Sequence, residues 1–178
     1  MKSLPCLFSG WSVQRILAGH KTQTRRISGR LGSLKNAQVG DELWVRETWF
    51  PDPTCDGTWP DVQFMGCKGA SLDLIPERYR TPDHVLYRAS WLGIDLVWRP
   101  SIFMPRWASR MTLRVLERRE EPLHAITRMG AVLEGIEDEG SGAWVPVAKF
   151  AELWDELNLK RAPWASNPLV TVFTFELA

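Results

Sequence analysis

"GHKTQTRR", residues 19–26, sits where one kind of periodicity gives way to another. Before it, Val13, Ile16 and Leu17 recur at helical spacing, with Ser9 or Ser12 as N-cap and Gly19 as the stop. After it, "TQTRRI" carries β-branched residues at alternate positions and reads as a strand. Thr24 and Arg26 share strand parity, whereas Lys21 has the opposite one. Lys21 can join Thr24 only from a bend ahead of the strand, which Gly19 permits. The cluster is therefore either a helix exit followed by a solvated basic strand or one wall of a polar site.

Outward from this hinge, the elements are short. "VGDELWVRETWF" (39–50) opens with a Gly-Asp turn and continues as a strand with Leu43, Val45 and Glu47 on one face. Residues 51–83 are irregular and rich in proline, too long for an inert connector, so an inserted loop or lid is expected there. "HVLYRAS" reads as a strand, and "WRPSIFMPRWASRMTLRVLERRE" begins extended and proline-broken before becoming a strand from about Ser109 to Arg118. "PLHAITRMGAVLEGI" has helical spacing and is expected to form an amphipathic helix ending at Gly135. "VAKFAELWDELN" reads as a second helix with Phe150, Leu153 and Leu157 inward, and "NPLVTVFTFEL" as a closing strand. The pattern is that of an α+β chain, a small mixed β-barrel with two or three short helices on its outside.

Composition narrows the classes of function. The 178 residues suit one domain, 1–178, and 44% hydrophobic content supports a core. No apolar run reaches the ~18 residues of a membrane span, and the N-terminal apolar stretch is too short for a secretory signal. Cys6, Cys55 and Cys67 form no CxxC pair, which fits reduced thiols and a cytoplasmic location. Cys55, Cys67 and His84 match no common zinc spacing, so neither metal nor cofactor is expected.

The net charge of +1 conceals segregation. Residues 1–50 carry eight basic against three acidic side chains, residues 98–119 six against one, and residues 120–156 two against nine. Sixteen of the 22 basic residues are arginine, suited to bidentate anion contact, and ten tryptophans supply stacking faces as well as core. A near-neutral balance argues against broad polynucleotide binding and suits one small anionic or heterocyclic ligand.

Gly19-x-Lys21-x-x-Thr24-x-Arg26, followed by the Gly40-Asp41 turn, resembles the ASCH domain of the PUA-like superfamily, whose motif is GxKxxExR. Here threonine replaces the glutamate, as in one branch of that family. "KTQTRR", "WVRETW", "WRPSIFMPRWASR" and "VLEGI" are similar to blocks of phage and prophage members, in the same order. The resemblance covers nearly the whole chain apart from 51–83 and implies a PUA-like barrel associated with RNA. It also points to the branch that deacetylates 4-acetylcytidine with a lysine and a threonine of this motif and a distant glutamate. Lys21 and Thr24 match directly, and "AVLEGI" places Glu134 third.

On this reading Lys21 is a base whose pKa burial and arginine neighbours lower, Thr24 a nucleophile or water-positioner, and Glu134 a proton shuttle. Glu47 is the rival carboxylate. Arg26 is suited to a phosphate or oxyanion. Arg99, Ser101 and Arg106, stiffened by Pro100 and Pro105, and Trp49 are further ligand candidates. The expected partner is a nucleoside or RNA, with no membrane and no obligate protein partner. Three functions stay open: hydrolysis of an acylated nucleoside, non-catalytic recognition of RNA or a modified nucleotide, and ribonuclease action.

Overall fold

The computed structural model describes residues 1–60, 71–140, 142 and 144–178. Among these residues, seven strands and three α-helices follow in chain order: β1 (Ser3–Leu7), α1 (Gly10–Leu17), β2 (Gln23–Ile27), β3 (Glu42–Arg46), β4 (Trp49–Pro51), β5 (Val85–Tyr87), β6 (Thr112–Pro122), α2 (Arg128–Leu133), α3 (Val145–Asn158) and β7 (Leu169–Leu177). The fold is mixed α+β, as the sequence suggests. Five strands form one sheet in the order β1-β3-β6-β7-β2, and β4 and β5 form a separate pair.

β1 was not legible. Pro5 interrupts its pattern, yet it runs parallel to β3 along the sheet edge, where a missing N–H is tolerated. β6 begins at Thr112 and runs on to Pro122, with a register shift between Val115 and Glu117 as it pairs with β7.

The alternation of β7 divides the interior in two. Phe173 and Phe175 join Leu43, Val45, Leu113 and Val115 in a core that α1 covers with Val13 and Ile16. Val170 and Val172 point to the other side, where Leu123, Ile126, Phe150 and Trp154 pack against them. α3 therefore buries Phe150 and Trp154, while Leu157, expected inward, is exposed.

The ladder leaves β1 and β2 at opposite ends of the sheet, and a side chain joins them. Arg26 on β2 donates from Nη2 to the Leu7 carbonyl of β1 at 2.6 Å and lies over the Phe8 ring at 5.1 Å. The barrel-like seam is thus an arginine contact rather than a further ladder.

Beside this sheet, Trp49, Val85, Tyr87, Met104 and Ala108 form a smaller core around β4 and β5. The 98–108 segment is tied to β3 by Arg46, which donates to the carbonyls of Met104 (3.1 Å) and Ile102. Part of the expected 51–83 excursion, residues 61–70, lies outside the described residues, and with it Cys67.

Candidate functional site

The hinge at 19–21 is built from the end of one helix and the end of another. Ser9 caps α1 through the Ser12 amide, and Gly19 leaves it at φ +74°. The Arg15 carbonyl accepts from both the His20 and Lys21 amides, so the chain turns back at once. Lys21 therefore lies in the bend before β2, as its parity requires.

α2 is shorter than the periodicity of 122–136 suggests. Thr127 accepts from the Gly130 amide and starts the helix there, after a separate turn over 123–125. Its last turn docks on the hinge. The Thr22 amide donates to the Leu133 carbonyl at 2.9 Å, and Lys21 pairs with Glu134 as an isolated bridge.

Two glycines permit this approach. A Cβ at Gly130 would lie 3.0 Å from Arg25 Nη2. At Gly135, φ is +99° and a Cβ would lie 3.1 Å from Arg15 Cβ and 3.3 Å from Lys21 Cβ.

The result is a buried ionic cluster. Lys21 Nζ donates to Glu134 twice, to the carboxylate Oε2 at 2.5 Å and to the main-chain carbonyl at 2.8 Å. Arg25 Nη1 holds the other carboxylate oxygen, Oε1, at 3.2 Å. Arg25 also grips Glu121 Oε1 through Nε (3.1 Å) and Nη2 (2.9 Å), and Arg119 holds Glu121 Oε2 at 3.0 Å. Lys21, Arg25 and Glu134 are each no more than 6% exposed. Burial pushes the Lys21 ammonium below the ordinary lysine range; Glu134 opposes this, and Arg26 and Arg25 reinforce it.

This cluster forms one wall of a cavity of about 420 Å³, in the range of ordinary small-molecule sites. Thr24, Arg26 and Ser101 line the same cavity, as do Trp11 and Phe150. Of the residues singled out in the sequence, Lys21, Thr24, Arg26, Ser101 and Glu134 therefore share one space.

The others lie elsewhere. Glu47 is buried in a bidentate pair with Arg110 at 2.9 and 3.0 Å, and Arg110 lies over the Tyr87 ring at 4.1 Å. Burial raises the Glu47 pKa and Arg110 opposes it. This carboxylate does not meet Lys21. Trp49 is fully buried, edge-on to Trp107, and serves as core. Arg106 donates to Thr112 Oγ1 and lies over Trp44. Arg99 lines a second, larger cavity of about 830 Å³, walled by Phe50, Trp59, Trp91, Trp98 and Phe103.

Three residues of the first cavity escaped the sequence reading. Arg25 has the opposite parity to Thr24 and looks solvated in the pattern, but α3 covers it, with the Phe150 ring 5.9 Å away. Arg30 and Arg161 also line the cavity, from the turn after β2 and from beyond α3. The cluster of arginines at 25–30 was a signal for Arg30; nothing in the sequence signalled Arg161.

No family model matches the chain, and no curated protein does. Two solved structures are similar. An ASCH domain from Lactobacillus crispatus JV V101 is 12% identical, with a TM-score of 0.47 over 99% of this chain and 79% of that one. A DUF984 protein from Enterococcus faecalis V583 is 10% identical, with a TM-score of 0.45 over 93% of this chain and 65% of that one, a little under two thirds of its length. The likeness concerns the fold and assigns no side chain. Among the described residues, no helix is long and apolar enough to cross a membrane.

Proposed function

We propose that this chain is a nucleoside- or RNA-associated protein of the ASCH type, and that its cavity hydrolyses the amide of an N4-acylated cytidine-type nucleoside. The observation that carries the reading is the double anchorage of Lys21 by Glu134, in a wall shared with Thr24. A neutral amine has two N–H bonds. With both given to Glu134, its lone pair takes the remaining tetrahedral position, and burial favours that neutral form.

In the proposed reaction a water, oriented by Thr24 Oγ1, gives a proton to the Lys21 lone pair while its oxygen attacks the acyl carbon. The tetrahedral intermediate collapses as the bond from that carbon to N4 breaks. The proton taken by Lys21 passes, directly or through Glu134, to N4 as it leaves. The products are a carboxylic acid and the free exocyclic amine, so water supplies every atom added. Glu134 is preferred to Glu47 as the carboxylate because Glu47 is committed to Arg110.

The test is chromatography of 4-acetylcytidine after incubation with the protein and with Lys21→Ala, Thr24→Ala, Glu47→Gln and Glu134→Gln. Turnover lost by a factor of about 10² or more in Lys21→Ala and Glu134→Gln, and kept in Glu47→Gln, supports the reading. Absence of turnover by the parent protein, with ligand binding intact by calorimetry, replaces it with the recognition module.

A further inference from the structure

The cavity carries more positive charge than amide chemistry requires. Its wall holds five cationic residues, Lys21, Arg25, Arg26, Arg30 and Arg161, against one carboxylate, Glu134. While Lys21 is an ammonium it and Glu134 cancel one another, and the neutral amine leaves the pair with a single negative charge. Arg25 is balanced from outside by Glu121. Three arginines remain.

Arg26 spends one N–H on the Leu7 carbonyl and has no carboxylate partner among the described residues. The side chains of Arg30 and Arg161 have neither carboxylate nor hydrogen-bond partners among the described residues, and both are exposed at the cavity. They arrive from unrelated parts of the chain: Arg26 from β2, Arg30 from the turn over Ser28–Arg30, and Arg161 from just past α3, its amide bonded to the Asn158 carbonyl. Like charges gathered without counter-charges repel one another. An anion bound in the cavity they line relieves that repulsion, and guanidinium groups match the oxygens of a phosphate.

We infer that the cavity takes its ligand as a nucleoside monophosphate rather than a bare nucleoside, with Arg30 and Arg161, supported by Arg26, holding the phosphate. The inference rests on the proposed function for the nucleoside half of the ligand and on the arginines for the phosphate. A space of about 420 Å³ is on the scale of one small-molecule ligand, which favours a mononucleotide over a strand. Trp11, half-buried on the cavity lining, offers an apolar face for the base.

Calorimetry with cytidine, cytidine 5′-monophosphate and a 5′-phosphorylated oligoribonucleotide tests the inference on the parent protein, Arg30→Gln, Arg161→Gln and their double variant. The expected result is a preference of about tenfold or more for the monophosphate over cytidine, shrinking as salt is raised, and lost in the double variant. Arg114→Gln, which removes the same charge from an exposed position on β6 outside the cavity, keeps the preference. Equal affinity for the two ligands, a preference that survives in the double variant, or an equal loss in Arg114→Gln overturns the inference. So does tighter binding of the oligoribonucleotide, which makes the ligand a strand.

The amidohydrolase reading fails separately. If neither 4-acetylcytidine nor its 5′-monophosphate is turned over while the arginine-dependent preference persists, the phosphate site stands and the chemistry does not.

Discussion

The two cavities are held open by opposite means. The larger one lies against β4 and β5 among aromatic and aliphatic side chains, above a core of Trp49, Val85, Tyr87 and Met104. The smaller one has as one wall a buried ionic cluster, Lys21, Arg25, Glu134 and Glu121, whose charges satisfy one another. Apolar packing gains stability from each buried group separately. A buried ionic cluster does not: each member pays a desolvation penalty that only its partner offsets. The apolar region should therefore weaken in proportion to what is cut away, and the charged one should depend on whether its members remain matched.

The strongest way to break this comparison is in the ionic cluster. Glu134→Leu leaves Lys21 buried without its carboxylate and is expected to destabilise the fold by about 3–5 kcal/mol. Adding Lys21→Met should recover most of that loss while turnover stays absent. Urea unfolding of the single and double variants measures both; a double variant no more stable than Glu134→Leu contradicts the matched-pair account. In the other region, Met104→Ala is expected to cost about 2–5 kcal/mol through lost burial and the cavity left behind. Unfolding midpoints should fall while turnover per folded molecule is kept, which a coupled loss of both would refute.

A smaller effect tests the fit between helix and hinge. Gly135→Ala meets Arg15 and Lys21 and forces a side chain into a positive φ, at a cost of about 1–3 kcal/mol. Thermal unfolding should register it together with reduced turnover, since Lys21 is the neighbour displaced.

The subtlest prediction concerns protons. The folded Lys21 pKa lies below the ordinary lysine value of 10.5. Turnover should therefore rise with pH through that lowered pKa, as the ammonium becomes the base. Between the two pKa values the unfolded chain binds more protons than the folded one, so stability also rises with pH across that window. Arg26 lowers the Lys21 pKa by charge, so Arg26→Met should move the midpoint of the pH–rate profile upward. A downward shift would place Lys21 outside the titration that governs rate.

Much of the fold was legible because its signals are local. Ser9, Gly19 and Gly40 mark a cap and two turns, and the alternation of Val and Phe in 169–177 marks a strand whose two faces serve two cores. The junction of Lys21 with Glu134 was reached through the family resemblance, since nothing local in either segment points to the other. What stayed hidden depends on distant packing. Arg25 is buried only because α3 lies over it, and Trp49 is core only because 98–108 folds back against it. The helix over 128–133 was overextended because apolar spacing continues through Leu123 and Ile126, while Thr127, which starts the helix, is set within that same pattern.

The bond between Lys21 and Glu134 spans 113 residues of sequence. As the chain emerges from a ribosome, the hinge, α1 and β2 all appear long before the carboxylate that completes them. β2 must also wait for β7, its partner in the sheet, which lies about 150 residues further along the chain. Lys21 therefore spends most of synthesis outside its buried site. The buried cluster forms late, with closure of long loops rather than with growth of any one element.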